Sequence, residues 1–273
     1  MDNLHKTFSG ETRKIMIVVI SPSKTLDCET PVIVKKHSIP ELLAYSCQLV
    51  EQCRKLNSAD ISVLMKVSEK IADLNVKRFA AWNSAFTAVN AKQAILVFKG
   101  DVYSGLDVDT FSDLDFDFAQ SKLRILSGLY GVLRPLDLMK PYRLEMGVKL
   151  NNPRGKNLYH FWGDIITEKL NEVVATLKEK VLVNLASSEY AKSINTDKFQ
   201  GQIITPVFKE YKNGVYKVIG LHAKRARGLM ARHIIKNQIM DLKQLTEFNT
   251  GGYLFSAPDS SDTKLTFYRD NRL

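Results

Sequence analysis

The sequence predicts a mixed α/β (α+β) fold, with a central mixed sheet and surrounding helices in one compact domain over residues 16–273. Three observations carry this. Short β-type runs alternate with longer helical patterns, as a layered α/β core requires. Hydrophobic residues make up 45% of the 273, enough for a substantial core without a disulfide or metal staple. No repeat, heptad array or low-complexity tract divides the chain, and its glycines and prolines are scattered rather than gathered into a linker.

Residues 1–15 are polar and unpatterned, with neither an apolar signal core nor a small-residue cleavage pattern. They are expected to be a poorly ordered extension of a chain that is not secreted. Strands are predicted at Ile15–Ile20, Ala94–Phe98, Val181–Leu185, Ile203–Phe208, Tyr216–Leu221 and Leu265–Tyr268. Pro40–Leu56 repeats Leu42, Leu43, Cys47, Leu49 and Val50 at helical spacing behind a Ser38 cap. A second helix runs from Ala59, breaks near Asp73-Leu74-Asn75, and resumes over Val76–Trp82. Ser112–Leu126 carries aspartates in its first turn and stops at Gly128. Phe161–Leu177 and Lys224–Lys236 complete the helices. The apolar runs fall far short of the roughly 20 residues a bilayer demands. Cys28, Cys47 and Cys53 show neither a disulfide framework nor a zinc spacing, so a reducing cytoplasm is expected.

The net charge is +10. Much of the surplus lies in one stretch, where Lys209, Lys212, Lys217, Lys224, Arg225, Arg227, Arg232 and Lys236 face only Glu210. On a helix, Arg225, Arg232 and Lys236 fall on one side and Ala226, Met230 and Ile234 on the other, defining a cationic face and a core face. The alternative is an ordinary solvated basic surface. With Glu210 the one acidic residue in the stretch, polyanion binding is favoured. Asp101, Asp107, Asp109, Asp113, Asp115 and Asp117 form the opposite extreme, an acidic run, and this polarity suits a protein presenting one face to a polyanion.

Candidate chemistry collects after strands, where α/β sheets gather ligand groups. Ser21, Ser23, Lys24 and Thr25 supply hydroxyls and a cation suited to a phosphate, or a turn stabilised by those same hydroxyls. Lys99 and Asp101 bracket Gly100 as an ion pair or a catalytic pair. Arg143 and Glu145 share a face of a strand-like segment, as a site wall or a solvated pair. Gly128 and Gly131 offer a tight hairpin whose N–H groups would hold one phosphate in a helix-hairpin-helix element. Lys77 and Arg78, at the expected start of a second helix, are the competing candidate. His160 and Asp164 do not make a metal site, and no cofactor is called for.

Met16–Asp27, Phe98–Tyr103, Leu126–Leu138, Pro141–Gly147, Phe161–Asp164, Asn184–Ser187 and Lys224–Gly228, taken together in that order, resemble the YaaA family of peroxide stress resistance proteins. Ser23 departs from the alanine common at its position. The resemblance implies a compact mixed α/β fold with a basic cleft and a helix-hairpin-helix element. It also implies binding of double-stranded DNA in protection from peroxide and from iron damage, and the expected partner extends to structured or damaged DNA. It assigns no catalytic residue. Two functions stand beside each other at this point: a DNA-binding protein, and an enzyme on nucleic acid or a nucleotide in which Lys24, Lys99, Asp101, Arg143 and Glu145 converge at strand ends.

Overall fold

A computed structural model describes residues 16–270; the expected extension at 1–15 lies outside the described residues. The architecture is mixed α/β around an eight-stranded sheet. From one edge the strands run Tyr253–Ser261, Lys264–Arg269, Gln202–Lys212, Val181–Leu185, Met16–Ile20, Leu123–Ser127 and Gly131–Leu133. Val215–Lys217 is hairpin-paired to the end of Gln202–Lys212. The five inner strands are parallel and both edges antiparallel. Met16–Ile20 lies in the middle and is buried throughout, which is why it reads as an unbroken apolar run.

The Lys264–Arg269, Val181–Leu185 and Met16–Ile20 strands hold close to their expected positions, and Gln202–Lys212 is longer at both ends. Other boundaries differ for identifiable reasons. Ala94–Val97 is one helical turn, and only Phe98–Lys99 is extended, pairing with Thr25–Leu26. A short run that is buried on every side carries no period to separate turn from strand. The helix expected over Ser112–Leu126 is Asp113–Lys122, closed at its N-terminus by a Ser112/Asp115 capping box; Leu123–Ser127 then becomes a sheet strand. Phe161–Leu177 is split into Leu158–Trp162 and Ile165–Val174 by Gly163, whose φ of 47° ends the first helix. Pro40–Leu56 is helical over Leu43–Cys53 without a side-chain cap. Ser38 instead donates to Asp137 in a bridge between two loops. The strand expected at Tyr216–Leu221 stops at Lys217, and the basic helix begins at Gly220.

Both hairpin candidates take a geometry different from the one expected. Gly128 and Gly131 sit in a buried β-hairpin between Leu123–Ser127 and Gly131–Leu133. Trp162 Nε1 donates to the Gly128 carbonyl at 3.0 Å, and a Cβ at Gly128 would lie 2.1 Å from the Leu144 carbonyl oxygen. These glycines admit close packing of the Leu144 carbonyl and of Trp162. The helical hairpin that does exist is Ser58–Met65 with Glu69–Ala81, and its turn is at Lys66, in the left-handed region at φ 52°. Glu69–Ala81 is unbroken, so Lys77 and Arg78 lie late in a helix rather than at the start of one, and no donors of a helix N-terminus adjoin them.

The basic helix Gly220–Lys236 behaves as its pattern requires, with Ala226, Met230 and Ile234 buried in the core. It crosses the short helix Asp101–Leu106 at two glycines. A Cβ on Gly228 would sit 1.9 Å from the Val102 carbonyl oxygen, and one on Gly105 2.3 Å from that of Arg225. Backbone therefore meets backbone.

No helix among the described residues is long and apolar enough to cross a membrane.

Candidate functional site

The parallel strands Met16–Ile20 and Val181–Leu185 end side by side, and their continuations are tied together. The Ser187 backbone N–H donates to Ser21 Oγ at 2.8 Å, Ser21 Oγ contacts Ser187 Oγ at 3.2 Å, and Tyr103 OH donates to the Ser21 carbonyl at 3.1 Å. Parallel neighbours leave a crevice at their carboxyl ends because each chain must turn away. Here it is a cavity of about 600 Å³. All five candidate catalytic residues, Lys24, Lys99, Asp101, Arg143 and Glu145, line it, as do Ser21, Ser23 and Thr25. From the basic helix, Lys224 and Arg227 complete the wall.

Each contributor is held differently. Ser23 Oγ accepts from the Thr25 N–H at 3.2 Å, so the hydroxyl turn anticipated in the sequence is real and still borders the cavity. Gly100 has φ 112°, and a Cβ there would stand 2.9 Å from Ser23 Oγ; glycine is needed for both reasons. Lys99 does not pair with Asp101. Its Nζ lies 3.5 Å from Asp27 Oδ2, while Lys92 Nζ approaches Asp27 Oδ1 at 3.7 Å. The Thr30 backbone N–H donates to Asp27 at 2.9 Å, and that bond above all holds the Asp27 carboxyl well below the usual carboxylate range. Asp101, opening its helix, has no ion-pair partner among the described residues.

Arg143 and Glu145 do meet, although their segment is not a strand. Arg143 Nη2 is 3.1 Å and Lys24 Nζ 3.3 Å from the same oxygen, Glu145 Oε1. Glu145 Oε2 is buried and has no hydrogen-bond partner. A buried carboxylate oxygen without a donor is costly, so the pair is built asymmetrically. Tyr103, Tyr142 and Tyr190 also line the cavity, and burial pushes all three phenols upward, keeping them neutral. Arg227 is half-buried, burial lowers its pKa from the ordinary arginine value, and its guanidinium has no partner among the described residues. Five donors thus face the cavity with nothing to hold.

The basic stretch divides. Lys224 and Arg225 are exposed, as are Lys212 and Lys217 on the hairpin. Arg232 and Lys236 are engaged, which overturns the reading that the stretch lacks acidic partners. Arg232 Nη1 donates to the Asp107 carbonyl at 2.8 Å and lies 3.3 Å from its carboxylate, and Lys236 Nζ is 2.7 Å from Asp115 Oδ2. The acidic run and the basic helix, far apart in sequence, neutralise each other where they cross. Lys209 Nζ lies 5.4 Å over the Tyr268 ring, on a different part of the sheet. Lys77 and Arg78 line a shallow hollow with Lys140. Elsewhere, Asp164 pairs with Lys198 and accepts a hydrogen bond from Asn195.

Sequence reasoning missed Asp27 as the partner of Lys99, and it missed Ser187, Ser188 and Glu189. The last three follow directly on a predicted strand, so the strand-end rule applied to Ser21 finds them equally well. Among the described residues no group of three or more His, Cys, Asp or Glu side chains is placed to hold a metal ion.

The family whose model matches is described as peroxide stress protein YaaA, and the match runs over residues 16–259. It includes every wall of the cavity.

Proposed function

This chain belongs to the peroxide stress protein YaaA family, and from that footing we propose that it binds duplex DNA in the peroxide response, serving protection or repair. Backbone phosphates are held by Lys224, Arg225 and Arg227 and by Lys24 at the mouth of the cavity. The observation that supports this is the convergence of Lys24, Lys224 and Arg227 on one concave site, above all the unpartnered Arg227 beside exposed Lys224. Cations displace counterions from phosphates, so affinity falls steeply as salt rises. The same displacement removes metal cations from the DNA surface, and the limiting of iron damage is proposed as part of this activity. An electrophoretic titration with a blunt duplex across salt concentrations tests the proposal, and a flat salt dependence defeats it.

A second reading, an enzyme on damaged nucleic acid or a nucleotide, is favoured by the same convergence. Lys24, Lys99, Asp101, Arg143 and Glu145 are gathered rather than scattered, and Asp101 and Glu145 Oε2 are carboxylate groups left with open acceptor capacity. Turnover of abasic-site DNA that disappears in Asp101→Asn and Glu145→Gln supports it. Absence of turnover on abasic, oxidised-base and mononucleotide substrates removes it.

A further inference from the structure

The sheet has a second surface at the end where the cavity opens. Gln202–Lys212 runs parallel to Val181–Leu185 and continues past it, so its last residues project from the same carboxyl edge that carries Ser187. Along this strand Ile204, Pro206, Phe208 and Glu210 are buried, whereas Ile203, Thr205, Val207, Lys209 and Tyr211 are half-exposed. The basic helix packs against this strand, and alternation leaves the other face open.

That open face is aromatic at its carboxyl end. The register sets Tyr268 beside Lys209 and Tyr216 beside Tyr211. Tyr216 and Tyr268 have ring centroids 4.2 Å apart with planes at 32°, and Tyr211 meets Tyr216 edge-on at 5.2 Å. The Tyr268 hydroxyl is hydrogen-bonded to Asp259, which also accepts from Ser256 Oγ at 2.7 Å, so the ring is fixed from behind. Tyr216 remains 40% exposed in a half-stacked position. Soluble proteins ordinarily bury such rings or break them apart, and here three share one solvent-facing cluster.

Charge identifies what fits it. Lys209 covers the Tyr268 ring, and Lys212, Lys217 and Lys264 are exposed around the cluster. Glu210 is turned inward onto Tyr253 and Arg269 and contributes no charge outside. Asp259 is committed to Tyr268 and Ser256. An aromatic step rimmed by lysines, with Glu210 and Asp259 both engaged, complements a base whose flanking phosphates are anionic. A base inside a duplex has no free face to offer it.

We propose that the Tyr211–Tyr216–Tyr268 cluster is a stacking platform for unpaired nucleobases of a single DNA strand, lying beside the cavity at the shared carboxyl edge of the sheet. It rests on the nucleic-acid reading above and adds a preference to it: DNA with an unpaired stretch binds better than a blunt duplex, because the paired part meets the helix cations and the unpaired part meets the tyrosines.

The test is fluorescence anisotropy with a labelled 15-nucleotide oligothymidylate and with a blunt duplex of the same length, using wild type, Tyr216→Ala, Tyr216→Phe, and the triple Lys224→Ala/Arg225→Ala/Arg227→Ala. Tyr216→Ala weakens oligothymidylate binding about tenfold, the scale of one lost base stack. Tyr216→Phe keeps the ring and keeps the affinity. Neither tyrosine variant changes duplex affinity more than about twofold, whereas the triple variant does. Oligothymidylate binding unchanged in Tyr216→Ala overturns the platform while leaving duplex binding intact. Loss of oligothymidylate affinity in both tyrosine variants points to the hydroxyl and also overturns it. If wild type binds neither probe, both readings fall.

Discussion

Splitting the basic helix into free and engaged cations makes the salt dependence of DNA binding a quantitative test of which residues face the phosphates. Lys224, Arg225 and Arg227 have no acidic partner among the described residues, whereas Arg232 and Lys236 are bound to Asp107 and Asp115. Each phosphate neutralised contributes about 0.9 to the slope of log affinity against log salt. Removing all three free cations as Lys224→Ala/Arg225→Ala/Arg227→Ala therefore lowers the slope by at most about 2.7. Over a fourfold rise in salt, wild type then loses about 40-fold more affinity than the variant does. Arg232→Ala/Lys236→Ala removes two charges as well but leaves the slope nearly unchanged. Its effect is on stability, because Asp115 is only 5% exposed and loses its cation; about 1–2 kcal/mol is expected, since Lys236 is partly solvated. The assay is duplex affinity at four or more salt concentrations, with a thermal melt of each variant beside it. Equal slope changes in the two variants refute the division, and an unchanged slope in the triple variant removes the helix from the interface.

Three further outcomes follow from packing and ionisation. Gly228→Ala places a methyl 1.9 Å from the Val102 carbonyl oxygen, where only backbone can yield, so a loss of about 3 kcal/mol is expected by chemical denaturation; a loss below about 1 kcal/mol means the crossing is looser than described. Tyr130→Phe removes the hydroxyl that accepts from Trp82 Nε1 at 3.0 Å and from the Lys140 N–H at 3.1 Å, stranding two buried donors, and costs about 2–3 kcal/mol in the same assay. Asp27 is held well below the usual carboxylate range, so its stabilisation is full above the unfolded value of about 3.9 and drains away as pH falls below it. The melting-temperature advantage of wild type over Asp27→Ala is therefore constant from pH 5 to 7 and shrinks steadily below pH 4. An advantage at pH 2 as large as that at pH 6 contradicts the assignment.

The parts of this fold that were legible in sequence are those whose pattern has one physical cause. Met16–Ile20 and Val181–Leu185 are buried inner strands and read as apolar runs; the basic helix has one core face and shows it at Ala226, Met230 and Ile234. Ala94–Val97 and Leu123–Ser127 are both buried throughout, yet one is a helical turn and the other a strand, because their neighbours decide. The site was legible as a set of strand ends but not as a set of partners. Lys99 lies at the end of the short strand Phe98–Lys99, and its carboxylate comes from Asp27, 72 positions earlier, rather than from nearby Asp101. The turn at Gly128–Gly131 is a β-hairpin rather than a helical one, and glycine spacing alone does not tell the two apart.

The glycine contacts also bear on how quickly and how selectively the cavity fills. Gly105 and Gly228 lock the wall carrying Asp101 to the wall carrying Lys224 and Arg227, and Gly128 seats the segment bearing Arg143 and Glu145 against its hairpin. Thr25 and Lys99 are joined across the remaining side. A site braced on every side has little left to order when a ligand arrives, so the entropy of arranging it is spent during folding. Association then proceeds without a closing step, as a single exponential whose rate rises linearly with concentration, and discrimination falls to the dissociation rate of ligands that do not match a shape already set.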